Sequence, residues 1–204
     1  MNTQTRADEF SEAMVRERLA AFLSERNGAP TRVEKIKRFT VGFSWLTYGF
    51  SAQWREGDQL QSREWILRIG PPNGLFAPYK ASPEFFALQA LQESAVPVPR
   101  VYWYSDASDV FGAPFFICEH VAGDAPVPWV GAGQDFNAAE REQLAAQFVA
   151  ALAAMHNFEW RGTSIARVCA PVETNNAAQA QIDFWNDILQ RSRLRRFPAV
   201  AWAL

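Results

Sequence analysis

A helix-like segment followed by three closely spaced strand-like runs restricts the fold of this 204-residue chain within its first third. Apolar residues recur at helical spacing from about residue 8 to residue 26. Runs near 33–39, 46–54 and 64–69 have the alternating polarity or the β-branched and aromatic content of strands. Glu56-Gly57-Asp58 predicts a hairpin turn between the last two runs. We therefore expect one helix followed by a three-stranded antiparallel meander.

A second helix and two further strands are predicted after the meander. Ser82-Pro83-Glu84 has the composition of a helix start, with Ser82 as the N-cap, Pro83 at the first helical position and an acid in the first turn. Strands are expected over 100–104 and from 115 to about 121, because both runs are apolar and follow turn signals. The first part of the chain thus has the order helix, three strands, helix, two strands.

Helices dominate the prediction after a loop-like stretch at residues 123–133. Asn137 and Glu140 have the spacing of a capping box, which predicts a helix that ends near His156. Another helix is expected over 175–193, with apolar residues on one face.

This order predicts an α+β fold: a protein-kinase-like N-lobe, with a five-stranded antiparallel sheet plus a helix, and then the first helices of an α-helical C-lobe. We place the N-lobe in residues 1–123, and a connector with an incomplete helical C-lobe in residues 124–204. A topology of this kind is by itself weak evidence for function.

Composition excludes several classes of protein. The formal charge of -2 and the pI near 5.8 do not suit a nucleic-acid-binding protein. The short basic cluster formed by Arg191, Arg193, Arg195 and Arg196 is interpreted as a solvated helix end. The polar N-terminus lacks a signal-peptide layout, and the most apolar helical stretch, 144–155, is too short to cross a bilayer. We expect a cytoplasmic protein with neither a nucleic-acid nor a membrane partner.

Cysteine and histidine are too few for a disulfide framework or a histidine-based zinc site. Cys118 and Cys169 are the only cysteines, and Cys118 lies in an apolar run that predicts a small core residue. His156 follows Phe148 and Leu152 at four-residue spacing, which predicts a buried, hydrogen-bonded histidine. Two acids four residues apart on one helix face, at positions 183 and 187, fit either a metal pair or a solvated helix side, and we favour the solvated side.

Six segments carry a more specific signal through their order and spacing. They are FTVGFSWLTY at 39–48, WILRIGPP at 65–72, EFFALQAL at 84–91, VPVPRV at 96–101, FGAPFFICEHVAG at 111–123 and LAAMH at 152–156. Together they resemble the aminoglycoside phosphotransferase and choline kinase-like family. The resemblance implies an enzyme that uses ATP or GTP, with Mg²⁺, to phosphorylate a hydroxyl group of a small molecule.

The loop between the first two strands is the first candidate site. Gly42 allows the backbone to turn closely over phosphates, whose oxygens the N–H groups of the loop can bind. Ser44 carries a hydroxyl that can donate to the β-phosphate. Trp45 stands where the family usually has Asn, and Gly42 has no second Gly beside it. On the motif alone, an ordinary hairpin loop remains the alternative.

Two charged residues form the second candidate site. The resemblance places Arg68 where kinases have their phosphate-binding lysine, with Glu84 of the following helix as its tether. An arginine stays charged and offers several donors, so it can bind phosphate and carboxylate together. The alternative is a surface arginine in a weak, solvent-exposed pair.

The end of the fifth strand is the third candidate site. The resemblance implies a hinge in which the Glu119 carbonyl and the Val121 N–H bind the nucleotide base. On these residues alone, the end of a core strand explains the pattern equally well.

The catalytic residues of the family have no match in this sequence. Neither His120 nor His156 is followed by Gly-Asp, so the His-Gly-Asp motif that holds the catalytic base is not matched, and the segment FPAVAW at 197–202 resembles what precedes it. We therefore expect an N-terminal portion that is inactive alone and lacks catalytic residues and Mg²⁺ ligands.

The sequence leaves both the acceptor substrate and the class of function open. Antibiotics, choline-like alcohols and hydroxyacyl thioesters are all possible acceptors, and a non-catalytic nucleotide-binding or interaction module is the alternative function. Apolar faces on the helices predicted over 137–156 and 175–193 would be exposed in an N-terminal portion, which predicts self-association.

Overall fold

Helices and strands follow one another in the order that the sequence predicts, with one additional short helix, Ile165–Val168, that was not predicted. The computed structural model describes residues 10–40, 44–72, 77–123, 136–168 and 176–191. Their elements are α1 (Glu12–Asn27), β1 (Arg32–Phe39), β2 (Leu46–Glu56), β3 (Gln59–Ile69), α2 (Ser82–Leu91), β4 (Val101–Ser105), β5 (Phe115–Glu119), α3 (Ala138–His156), α4 (Ile165–Val168) and α5 (Ala177–Arg191).

The five strands form one antiparallel sheet in the order β1-β2-β3-β5-β4. β2 and β3 pair along their whole length, and the hairpin between them closes with Glu56 opposite Gln59. Gly57 lies in that turn with a φ of 60°, a left-handed conformation that glycine adopts without strain. The predicted hairpin and the predicted α+β fold with a five-stranded antiparallel sheet are confirmed.

A bulge in β1 changes which side chains face the core. Strict alternation would place Val33 and Ile36 on opposite faces, yet both are buried. The register shifts between Glu34 and Lys37, and Lys35 adopts a φ of 50°. The extra residue reverses the alternation, so both apolar side chains reach the same core.

Helix α1 covers one face of the sheet, which we call the outer face. Ser11 accepts the Met14 N–H at the start of the helix, and Gly28 ends it with a φ of 63°. The helix therefore begins later than the predicted residue 8. Its buried side chains form one core cluster with apolar residues of the three central strands; the helix contributes Val15, Leu19, Phe22 and Leu23, and the strands contribute Tyr48, Phe50, Trp65, Leu67, Ile69, Phe115 and Ile117.

Helix α2 packs on the opposite, inner face of the sheet. Ala81 and Phe85 form a buried cluster there with Phe116 and Cys118 of β5. The prediction that Cys118 is a small core residue is confirmed.

The prediction that Ser82 caps α2 is wrong. Ser82 is the first helical residue and Ala81 is the N-cap, without a side-chain cap of its own. Asp106, just after β4, accepts the backbone N–H groups of Ala81 at 2.6 Å and Ser82 at 3.0 Å. The carboxylate that satisfies this helix start is thus 24 residues away in sequence, where no local pattern reveals it.

The later helices pack differently from the first two. Asn137 and Glu140 form the predicted capping box at the start of α3. No residue of α3 is buried, and its exposed apolar side chains are Leu144, Phe148, Val149, Leu152 and Met155. On α5 the exposed ones are Phe184, Trp185 and Leu189.

The prediction of a buried His156 is wrong for this structure. The histidine is exposed, because none of the described residues covers the apolar side of α3 that it shares with Phe148 and Leu152. Self-association through α3 and α5 stays a prediction. None of the described helices is both long and apolar enough to cross a membrane.

Several predicted features lie outside the described residues. They are the lobe boundary after residue 123, Cys169, most of the basic cluster at 191–196 and the segment 197–202. The division into residues 1–123 and 124–204 stays a prediction.

Candidate functional site

The register of the sheet aligns Thr47, Arg68 and Phe116 in one row across β2, β3 and β5. The Arg68 side chain extends from the inner face and forms an ion pair with Glu84 in the first turn of α2, through Nη1 and Oε1. The side chains of Arg68 and Glu84 are 28% and 34% exposed, so the pair lies at the boundary between core and solvent. This is the contact that the sequence predicts. The role of the pair in binding nucleotide stays a prediction.

Aromatic rings flank the same guanidinium group. Its central carbon lies 5.4 Å from the ring centroid of Trp45 and 5.4 Å from that of Phe116. Both distances are within the range of cation–π attraction. In the sequence, Trp45 is only a departure from the pattern of the family, and its place in the predicted phosphate loop is the one signal of a role.

Burial changes the acid–base properties of two groups near Arg68. Burial raises the pKa of the Glu84 carboxyl above its ordinary value, and the positive charge and hydrogen bond of Arg68 partly offset this. Burial likewise raises the pKa of the Cys118 thiol to about 11, with Arg68 opposing the change and Glu84 and Glu119 adding to it. The thiol is therefore protonated at neutral pH and behaves as a small apolar group.

A second row beside the first has Gly49, Ile66 and Cys118 on adjacent strands. A Cβ atom added at Gly49 would lie 3.0 Å from Cε2 of Phe39 and 3.7 Å from Cδ1 of Ile66. The Phe39 ring therefore lies over the glycine, and it is 40% exposed. This row gives an apolar surface next to the cationic row, a combination that suits a planar base joined to an anion.

The predicted hinge is anchored to two neighbouring strands. The Glu119 N–H donates to the Arg100 carbonyl at 2.7 Å, and the Glu119 carboxylate accepts the Arg100 N–H at 3.1 Å. The His120 N–H donates to the Glu64 carbonyl at 3.4 Å, and His120 Nδ1 lies 3.4 Å from the Glu64 carboxylate. Val121 follows with 64% of its surface exposed. Base binding by Glu119 and Val121 stays a prediction.

The phosphate loop is described only in part. Gly42 lies outside the described residues, and Ser44 is half-buried directly before Trp45. The Trp45 ring packs edge-on against Tyr79, at 5.1 Å between centroids, and against Phe116, at 5.6 Å. Phosphate binding by Gly42 and Ser44 stays a prediction.

Comparison with known proteins gives the family. The sequence profile of the phosphotransferase enzyme family matches residues 37–201. The chain belongs to this family. The match covers β2 to α5, including the Arg68–Glu84 pair and the hinge segment, so the resemblance drawn from the six sequence segments is confirmed.

Two individual proteins are similar to this phosphotransferase-family chain. A solved structure of a candidate aminoglycoside phosphotransferase from Ralstonia eutropha JMP134 superposes with a TM-score of 0.58 at 22% identity, over 90% of this chain and 49% of that one. Acyl-CoA dehydrogenase family member 11 from Pongo abelii is 29% identical over 151 residues, which are 72% of this chain and 17% of the relative. The chain thus spans about half of the first protein and about a sixth of the second.

The solved structure supports the fold alone at this level of identity. Its superposition agrees with an α+β, kinase-like arrangement of sheet and helices, as the segment order predicts.

A metal site has little support in the part of the phosphotransferase-family chain that the structure describes. Asp183 and Asp187 are exposed on α5, and Asp183 accepts a hydrogen bond from Gln179 at 2.9 Å. No group of three or more His, Cys, Asp or Glu side chains in the described ranges is placed to hold an ion. That these two acids form a solvated helix side stays a prediction.

Proposed function

We propose that this chain holds the nucleotide in a phosphotransferase that moves the γ-phosphoryl group of ATP or GTP to a hydroxyl group of a small molecule. Family membership supports the reaction class. The observation that carries the proposal is the Arg68–Glu84 ion pair at the edge of the inner face. It presents a fixed positive charge beside an apolar surface, as a nucleotide requires.

Each part of the inner face takes one part of the nucleotide. Arg68 binds the phosphates, and Ser44 adds a hydroxyl donor from the adjoining loop. The base packs near Phe39 and Ile66 and hydrogen-bonds to the backbone at Glu119 and Val121. Glu84 keeps the arginine extended from β3 toward the phosphates.

A divalent cation is expected for this chemistry, because phosphoryl transfer develops charge that Mg²⁺ stabilises. The described residues contain no cluster that fits the ion. The proposal therefore assigns no metal ligand and no catalytic residue within them.

Hydroxyacyl thioesters are the acceptor class that we favour. The relative with the higher identity is named as an acyl-CoA dehydrogenase family member, and the matched stretch is 17% of its length. The name of the solved neighbour favours aminoglycosides, at a lower identity of 22%. We infer that an acyl thioester with a free hydroxyl group is the first acceptor to test, followed by aminoglycosides and choline-like alcohols.

Isothermal titration with ATP tests the nucleotide site. Replacing Arg68 by Ala removes a charged hydrogen-bond donor, whose loss typically costs about 1.5–3 kcal/mol, so affinity should fall by about 10- to 100-fold. Arg63→Ala is the matched control, because Arg63 is on the same strand and exposed. Equal affinities of the two variants would refute the role of Arg68. Absence of ATP and GTP binding by the unmodified chain would refute the proposed function.

A further inference from the structure

We propose that Trp45 is a positioning residue that orients Arg68 toward the nucleotide phosphates. This inference rests on the proposed function for the identity of the anion. The orientation of Arg68 by Trp45 can be measured without any nucleotide.

The geometry around Arg68 is an aromatic corner, formed by the rings of Trp45 and Phe116. The two centroids lie 5.6 Å apart with the ring planes at 79°. Each centroid lies 5.4 Å from the guanidinium carbon. The three points form a nearly equilateral triangle, so both rings lie on one side of the cation. The guanidinium group is thus confined on that side and open on the other.

The remaining donors of Arg68 determine what the open side can bind. The Glu84 carboxylate accepts a hydrogen bond from one N–H of Arg68 Nη1. Within the described ranges, the Nε–H and Nη2–H groups of Arg68 have no hydrogen-bond acceptor. The side chain keeps 28% of its surface exposed. An anion with several oxygens, such as a polyphosphate, matches these unused donors.

Trp45 is itself held firmly from behind. Its ring packs on Tyr79, and Tyr79 lies so close to Gly70 that a Cβ added at Gly70 would be 2.4 Å from the Tyr79 Cβ. The Gly70 N–H in turn donates to the Pro114 carbonyl at 2.8 Å. The indole therefore packs on Tyr79, and Tyr79 packs against the backbone directly after β3. Only a glycine at position 70 permits this approach.

The place of Trp45 in the chain links two parts of the site. It follows Ser44 directly and precedes β2, so it ends the loop predicted to cover the phosphates. Its backbone thus leads into β2, while its ring forms one wall of the corner around Arg68.

The first experiment observes Arg68 directly in the full chain. Its Nε–H resonance in a ¹H–¹⁵N spectrum, assigned by its absence in Arg68→Lys, should be shifted by the nearby rings. In Trp45→Leu the contribution of the indole to this shift should be lost while that of Phe116 remains, and exchange of the Nε–H with water should accelerate because the arginine is less confined. Trp45→Phe should keep most of both effects. Trp54→Leu is the matched control, because Trp54 is half-buried as Trp45 is, but lies within β2 and stacks on Trp65 of the outer face.

The second experiment separates positioning from general stability. Trp45→Leu should bind ATP about 5- to 10-fold more weakly, while adenosine, which has no phosphate, should bind within about twofold. Trp45→Phe should recover ATP binding to within about threefold. Trp54→Leu should change neither affinity.

The outcomes distinguish this inference from the function on which it rests. An unchanged rate of water exchange at the Arg68 Nε–H in Trp45→Leu, or equal losses for ATP and adenosine, would overturn the positioning role. If the unmodified chain binds no nucleotide while water exchange at the Arg68 Nε–H accelerates in Trp45→Leu as expected, the proposed function fails and the orientation of Arg68 by Trp45 stands.

Discussion

The Arg68–Glu84 pair should contribute to folding stability as well as to binding. Replacing Arg68 by Met keeps a long side chain that can pack on the rings of Trp45 and Phe116, but removes the charge. A hydrogen bond to a charged group contributes about 1.5–3 kcal/mol. Because the two side chains are 28% and 34% exposed, water screens part of this. We therefore expect Arg68→Met to lower the free energy of unfolding by about 1–2 kcal/mol at pH 7.

The pH dependence of this loss follows from Glu84. Without Arg68, the buried Glu84 carboxylate can lose its charge by binding a proton. This protonation costs about 1.4 kcal/mol for each pH unit above the pKa of the carboxyl group. Burial already raises the pKa of Glu84, and loss of the cation raises it further. Protonation is therefore easier at pH 5 than at pH 7. The destabilisation by Arg68→Met should shrink over that interval.

A double-mutant cycle measured by urea unfolding isolates the pair. Glu84→Gln removes the charge and keeps an acceptor, and the double variant should be about 1 kcal/mol more stable than the sum of the single changes predicts. Arg63→Met, on the exposed part of the same strand, should change stability by less than about 0.5 kcal/mol. Additive losses, or a loss for Arg68→Met that is the same at pH 5 and pH 7, would refute the reasoning.

Two further predictions concern the inner face. Because burial raises the pKa of Cys118 from its ordinary value of 9.0 to about 11, the contribution of this thiol to folding stability should be constant well below pH 9 and fall as the pH rises toward 11. Urea unfolding should show a smaller fall for Cys118→Ala, and an equal fall would contradict the assignment. Asp106→Ala should cost about 1 kcal/mol by leaving the N–H groups of Ala81 and Ser82 unsatisfied, and Asp106→Asn should recover most of it, as thermal unfolding would show. If both Asp106 variants unfold at the same temperature as the unmodified chain, water replaces this cap.

Local sequence patterns determined the order of the elements and several of their ends. The hairpin turn at Gly57 and the capping box of Asn137 and Glu140 were predicted because each depends on residues within four positions of one another. The pairing of Arg68 with Glu84 was predicted through the family resemblance. The structure has this contact because β3 and the first turn of α2 adjoin on the inner face.

Contacts between distant segments were decided only by the tertiary structure. The bulge in β1 brings Val33 and Ile36 to one core against the alternation of the sequence. The carboxylate of Asp106 caps a helix 24 residues earlier in the chain, and Trp45 meets Arg68 only because the sheet places the start of β2 beside β3. Burial depends on what covers a surface rather than on the pattern of the surface itself, so His156 has the spacing of a core residue and is exposed. Patterns within a few residues specify turns and local caps, whereas strand bulges, distant caps and burial depend on long-range packing.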